Sequence, residues 1–109
     1  MVNIYASIDI GTNTITILVV KFVDTEIKIL YENEFITKLG DRLVDTKNIQ
    51  KDALLRCKTA LTTCKKITEA YKVSNTFCVA TSALRQANNQ KYILSEINKC
   101  GFHPIVISG

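Results

Sequence analysis

Apolar and polar residues alternate strictly from Ile4 to Ile10, with Ile4, Ala6, Ile8 and Ile10 on one parity and Tyr5, Ser7 and Asp9 on the other. A period of two is the pattern of a half-buried β-strand. Ile15 to Phe22 is apolar and β-branched on both parities, which predicts a strand covered on both faces. Asp24 and Thr25 break that run, and Glu26 to about Lys38 resumes as a third strand, with Ile27, Ile29 and Tyr31 on one face and Lys28, Leu30 and Glu32 on the other. Three sequential strands joined by short turns make an antiparallel meander.

Gly40-Asp41-Arg42-Leu43-Val44-Asp45-Thr46 reads as a polar connection, and from about Ile49 the period changes. Leu54, Cys57, Leu61, Cys64, Ile67 and Tyr71 then recur at spacings of three and four, while Lys51, Arg56, Lys65, Lys66 and Glu69 fall mostly elsewhere, which predicts an amphipathic helix. Thr76 to Ala80 is short and apolar, as a buried strand is. A second helix starts near Asn88, carries Tyr92, Ile93, Leu94 and Ile97, and stops around Gly101. Pro104 introduces a last buried strand, Ile105-Val106-Ile107. The order β-β-β-α-β-α-β implies an α/β domain with a mixed sheet and helices packed on it, because right-handed crossovers set each helix against a sheet face. With no repeat and no linker, residues 1–109 are expected to form one domain.

Candidate chemistry sits at two turns. Asp9-Ile10-Gly11-Thr12-Asn13-Thr14 joins the first two strands through a small, hydroxyl-rich turn that offers backbone N–H groups and short donors to an anion. Gly11 can adopt positive φ there and leaves room for a phosphate oxygen, while Thr12, Asn13 and Thr14 donate without bulk. Asp9 points away from the apolar stripe, and a carboxylate beside a phosphate cradle suits hydrated Mg²⁺, which accepts one or two protein oxygens. Asp, Asn and Gly are also ordinary turn formers. The second turn, Thr81-Ser82-Ala83-Leu84-Arg85, follows the strand ending at Ala80, at the end of an open α/β sheet where ligands bind. A helix beginning just after Ser82 would put Arg85 in its first turn, where an anion would offset the unfavourable dipole. A helix beginning only at Asn88 leaves Arg85 in a loop. On the plainer reading Thr81 and Ser82 are caps and Arg85 is a solvated cation.

The composition narrows the function classes. The chain has 109 residues and a formal net charge of +4, a mild excess that favours polyanions without singling them out. No apolar run approaches the roughly 20 residues of a membrane helix, and no signal-like segment opens the chain, so a cytoplasmic protein is expected, with neither membrane nor DNA as partner. Cys57, Cys64, Cys78 and Cys100 lack close metal-ligand spacing, and His103 is the lone histidine. Cys57 and Cys64, about 10 Å apart along one helix, are too distant for a disulfide and read as small buried hydrophobes.

Asp9 to Thr14, Ala80-Thr81-Ser82-Ala83-Leu84-Arg85 and Val106-Ile107-Ser108-Gly109, with Lys38-Leu39-Gly40-Asp41 between them, together resemble the exopolyphosphatase and guanosine pentaphosphate phosphatase (Ppx/GppA) family over the chain from about Ile4. The resemblance implies an actin-like, ribonuclease H-like ATPase lobe and hydrolysis of terminal phosphoanhydride bonds in polyphosphate or guanosine pentaphosphate, usually with Mg²⁺. It implies that Gly11, Thr12, Asn13, Thr14 and Arg85 contact phosphate, that Thr81 and Ser82 shape the second loop, and that Asp9 faces the metal. It places the catalytic glutamate just past Ser108-Gly109 and a second glycine-rich loop in the other lobe. No catalytic residue is therefore assigned here, and the chain is expected to be the N-terminal phosphate-binding lobe of a longer enzyme, inactive without its C-terminal lobe. Where the family often has Gly this chain has Arg42, which with Lys38 could track a polyanion or simply be solvated. The exposed end after Ile107 favours self-association into a homodimer. Two other readings stay open: a non-catalytic polyphosphate or nucleotide binding module, and a lobe of an actin-like sugar or acetate kinase, which shares the first hairpin but leaves Thr81 to Arg85 unexplained.

Overall fold

The computed structural model describes residues 3–108; Met1, Val2 and Gly109 lie outside the described residues, so the Ser108-Gly109 reading is followed only to Ser108. Strands β1 (Asn3–Ile10), β2 (Thr14–Val23) and β3 (Glu26–Ile36) form the expected antiparallel meander. After a one-turn helix α1 (Leu43–Thr46), the long helix α2 (Lys51–Ala70) leads to β4 (Asn75–Ala80). The short α3 (Ser82–Gln86) and α4 (Gln90–Lys99) then precede β5 (Ile105–Val106). The sheet order is β3-β2-β1-β4-β5, with β4 parallel to β1 and β5 parallel to β4. Both α1 and α3 are additions to the predicted order. Four or five residues carry too little hydrophobic period to separate a single helical turn from a loop.

The core forms where the alternating face of β1 meets the apolar stripe of α2. Ala6, Ile8 and Ile10 of β1, Ile15, Ile17 and Val19 of β2, and Leu54, Cys57, Leu61 and Cys64 of α2 are all buried in it. Each aliphatic side chain hidden there contributes about 1.5–3 kcal/mol relative to exposure. Helix α2 ends in a Schellman motif: the Val73 N–H donates to the Thr68 carbonyl (3.0 Å), the Lys72 N–H donates to the Glu69 carbonyl (3.2 Å), and Lys72 takes φ 55°. Gly101, at φ 95°, closes α4 where the sequence predicted. Glu96 holds α4 to α2, accepting from Lys58 Nζ at 3.0 Å and Lys99 Nζ at 2.7 Å.

Several strand expectations need correction. Neither strand read as buried after α2 is buried throughout: β4 leaves Phe77 exposed, and β5 exposes Ile105 and stops at Val106, with Ile107 exposed beyond it. Strand β2 is not covered on both faces, since Leu18 and Val20 are half-buried and Phe22 is exposed opposite the helices. That open face carries Tyr5 stacked edge-on against Phe22, with ring centroids 5.4 Å apart, and Phe77 alongside at 6.2 Å. In β3 the predicted shared face of Ile27, Ile29 and Tyr31 is broken by a bulge. Val19 pairs with Tyr31 and Val20 with Ile29, leaving Leu30 unpaired. The extra residue shifts the alternation by one, so Tyr31 turns to the helix side against Tyr71 while Ile27 and Ile29 remain exposed. The strand ends at Ile36 rather than near Lys38 because the chain turns there toward the first hairpin.

Candidate functional site

Strands β1, β4 and β5 run parallel, so the turns that follow them all emerge at one edge of the sheet. Ile10 lies beside Ala80 and Ala80 beside Val106. Hydrogen bonds then stitch the turns together: the Thr81 N–H donates to the Ile10 carbonyl (3.3 Å), and the Ile107 N–H donates to the Ala80 carbonyl (2.9 Å). The two candidate anion turns singled out in the sequence are therefore neighbours, 70 residues apart in the chain and joined by one backbone bond.

The first turn works differently from the expectation in one respect. Gly11 does not have positive φ, and its own N–H is consumed by the Thr14 carbonyl at 2.9 Å. Glycine suits the position for space, because a Cβ would stand a tight 3.0 Å from the Thr14 oxygen. A third segment supports the turn from behind. The Gly40 N–H donates to the Thr12 carbonyl (3.0 Å), and the Thr37 and Lys38 N–H groups both donate to the Asn13 carbonyl (3.0 Å each). Every peptide among the described residues is trans, so a C=O and the following N–H point in opposite directions. With the Thr12 and Asn13 carbonyls turned to residues 37–40, the N–H groups of Asn13 and Thr14 face away from that loop. The N–H groups of Thr12 and Asn13 take part in no hydrogen bond among the described residues. Gly40 is in close contact with the turn, since a Cβ on it would lie 2.5 Å from Thr12 Cγ2.

Arg85 falls in the last turn of a five-residue helix, not the first turn of a long one, so the helix-dipole argument for an anion lapses. Its guanidinium instead donates from Nη1 to the Ile107 carbonyl at 2.9 Å and from Nη2 to Ser82 Oγ at 3.5 Å, tying the chain after β5 to the α3 turn. Arg85 remains exposed, with guanidinium N–H groups left over for a ligand. Thr81 occupies the N-cap position but makes no side-chain cap bond. Asp9 is exposed opposite Thr16, on the face away from Ile8 and Ile10. No group of three or more His, Cys, Asp or Glu assembles among the described residues.

Two residues that organise this edge were not singled out from the sequence. Arg56, assigned only to the polar side of α2, donates from Nε to the Thr37 carbonyl (2.6 Å) and from Nη2 to the Lys38 carbonyl (3.3 Å). Asp52 lies 3.6 Å from Nη1, and Asp41 lies 3.9 Å from Nη2. The Asn89 side chain pairs with Ile49 like a strand, accepting from its N–H and donating to its carbonyl at 3.0 Å each, and so holds residues 47–49 against the α3–α4 junction. Neither has a linear signal, since each acts across 18 or more residues of chain. Lys38 and Arg42 both stand exposed with positive φ, at 50° and 56°.

Comparison with known proteins gives a consistent result. The Ppx/GppA phosphatase family matches residues 18–109. A bifunctional 3-dehydroquinate synthase/phosphatase of Fusobacterium nucleatum is 31% identical over 99 residues, covering 84% of this chain and 15% of its own length. A guanosine-5'-triphosphate,3'-diphosphate pyrophosphatase of Vibrio cholerae is 29% identical over 97% of this chain and 22% of its own. Among solved structures, a Ppx/GppA family member from Aquifex aeolicus superposes with a TM-score of 0.96 at 29% identity, over 99% of this chain and 36% of that one. An exopolyphosphatase from Cytophaga hutchinsonii gives 0.94 at 25% identity, over 98% and 35%. The chain thus spans about a fifth or less of these curated relatives and about a third of the solved structures. Its fold is the α/β actin-like lobe of these proteins.

Proposed function

Because the chain belongs to the Ppx/GppA phosphatase family, we propose that it forms the phosphate-binding lobe of a phosphohydrolase that releases terminal phosphate from inorganic polyphosphate or guanosine pentaphosphate. Family membership displaces the sugar or acetate kinase reading. The observation that carries the proposal is the meeting of the Gly11–Thr14 turn and the Thr81–Arg85 turn at one sheet edge, joined through Thr81 and Ile10.

In this reading the outward N–H groups of Asn13 and Thr14, with the free N–H of Thr12 and the hydroxyls of Thr12 and Thr14, receive the oxygens of a terminal phosphate. Arg85 approaches from the neighbouring turn with the guanidinium N–H groups not engaged by Ile107 and Ser82, and Thr81 and Ser82 shape its loop. These donors are fixed before the ligand arrives, so they stabilise charge on phosphate without reorganising. A single exposed carboxylate, Asp9, suits Mg²⁺, which keeps most of its waters and needs no protein cage. Bound there, the ion would neutralise phosphate charge as the anhydride breaks. Lys38 and Arg42 would carry the next phosphates of a long polyanion.

Calorimetric titration of the full chain with polyphosphate and with guanosine pentaphosphate tests the assignment. Gly11→Val forces a side chain against the Thr14 carbonyl, and Arg85→Ala removes charged donors. Each should weaken binding about tenfold or more, the value of a charge-assisted hydrogen bond. Binding unchanged by both substitutions would place the ligand elsewhere.

A further inference from the structure

Behind the Gly11–Thr14 turn, two peptide groups and one guanidinium form an unbroken line of hydrogen bonds. Arg56 Nε donates to the Thr37 carbonyl at 2.6 Å. The N–H of that same peptide, belonging to Lys38, donates to the Asn13 carbonyl at 3.0 Å. The N–H of the next peptide, belonging to Thr14, points in the opposite direction, away from the Thr37–Lys38 segment. The Thr37 N–H converges on the same Asn13 oxygen (3.0 Å), and Arg56 Nη2 braces the Lys38 carbonyl (3.3 Å).

From this arrangement we infer that Arg56 is a positioning residue for the anion turn, acting through the Thr37–Lys38 and Asn13–Thr14 peptides to orient and polarise the Thr14 N–H. The inference rests on the anion reading of that turn. Hydrogen bonds arranged head to tail strengthen one another, because each accepted bond draws electron density from the peptide and makes its N–H a better donor. A cation at the far end sets the direction of that polarisation, so donor strength at the turn depends on a charge that never touches ligand. Arg is suited to the task, as its planar fork reaches two successive carbonyls at once. Asp52 and Asp41 partly neutralise that charge at 3.6 and 3.9 Å. They therefore act as opposing settings on the same line.

A purely structural brace and a polarising one differ in what the carboxylates do. Asp52→Asn leaves the Arg56 bonds to the loop in place and removes a neutralising charge, so the inference expects tighter anion binding, by about twofold to threefold. Arg56→Gln keeps a donor without the charge and should weaken binding about tenfold, with Arg56→Lys between the two. Pyrophosphate is the probe, titrated into the full chain while the amide resonances of Asn13, Thr14 and Lys38 are followed by NMR. Support consists of tighter binding in Asp52→Asn and an upfield displacement of the Lys38 and Thr14 amide protons in ligand-free Arg56→Gln. If the unsubstituted chain shows no pyrophosphate-induced shift at Asn13 and Thr14, the anion reading fails and this inference with it. If it binds, and Asp52→Asn is no tighter while Arg56→Gln binds within about twofold, the inference alone is overturned. Should Arg56→Gln fail to fold, Asp52→Asn decides the matter by itself.

Discussion

Gly40 supports the Gly11–Thr14 turn without belonging to it. A β-carbon at that position would sit 2.5 Å from the Thr12 methyl, while the Gly40 N–H holds the Thr12 carbonyl. Gly40→Ala should therefore displace Thr12, lowering stability by about 1–3 kcal/mol as overpacking does and weakening pyrophosphate binding in the same variant. Chemical denaturation and titration measured side by side check this, and a variant with normal affinity would detach Gly40 from the site. Thr37 contributes through its backbone alone, since its hydroxyl is buried without a partner. At this scale the linear chain reveals residues whose type is unusual for their place, such as Gly11 and Arg85. It conceals Arg56 and Asn89, whose types are ordinary on a helix surface and whose partners lie 18 to 40 residues away.

Among the elements, the contact of α4 with α2 includes one carboxylate held between two lysines, beside the buried Ile93 and Ile97. Lys99 and Lys58 hold the Glu96 carboxyl below the ordinary value of 4.5 through hydrogen bonds and charge. A carboxyl with a lowered folded pKa binds protons more readily in the unfolded chain, so its contribution is present above about pH 4.5 and lost as pH falls through the folded value. Thermal melts between neutral pH and pH 3 should show a smaller acid loss for Glu96→Gln than for the unsubstituted chain; equal losses would remove Glu96 from the acid transition. The long periodic elements were legible because α2 repeats its apolar residues over five turns and β1 alternates without a fault. The bulge at Leu30 was not, because a bulge depends on how two strands pair and leaves the residue pattern of one strand unchanged.

For the molecule as a whole, all four cysteines are free, and three of them, Cys57, Cys64 and Cys78, sit in the single core. Burial pushes the Cys57 and Cys78 thiols up to about 12 and Cys64 up to about 11, from an ordinary value of 9.0. The unfolded chain then releases these protons first, so core stability is complete below about pH 9 and declines as pH rises toward 12. Cys78→Ala should lower the melting temperature at pH 7 yet lose less on going to pH 10; an equal loss would assign the alkaline limb to other groups. The described helices pack on one face of the sheet, and none is long and apolar enough to cross a membrane.

The linear order of residues by itself determined the α/β class, the strand meander, the long helix and the positions of the two candidate turns, because those depend on periodicity and on local turn chemistry. Only the tertiary structure decided that the two turns meet, that Gly11 is crowded by the Thr14 carbonyl rather than held at positive φ, and that a guanidinium stands behind the Asn13 carbonyl. Each of those facts depends on sheet order and on distances between segments far apart in the chain, which no local pattern of side chains encodes.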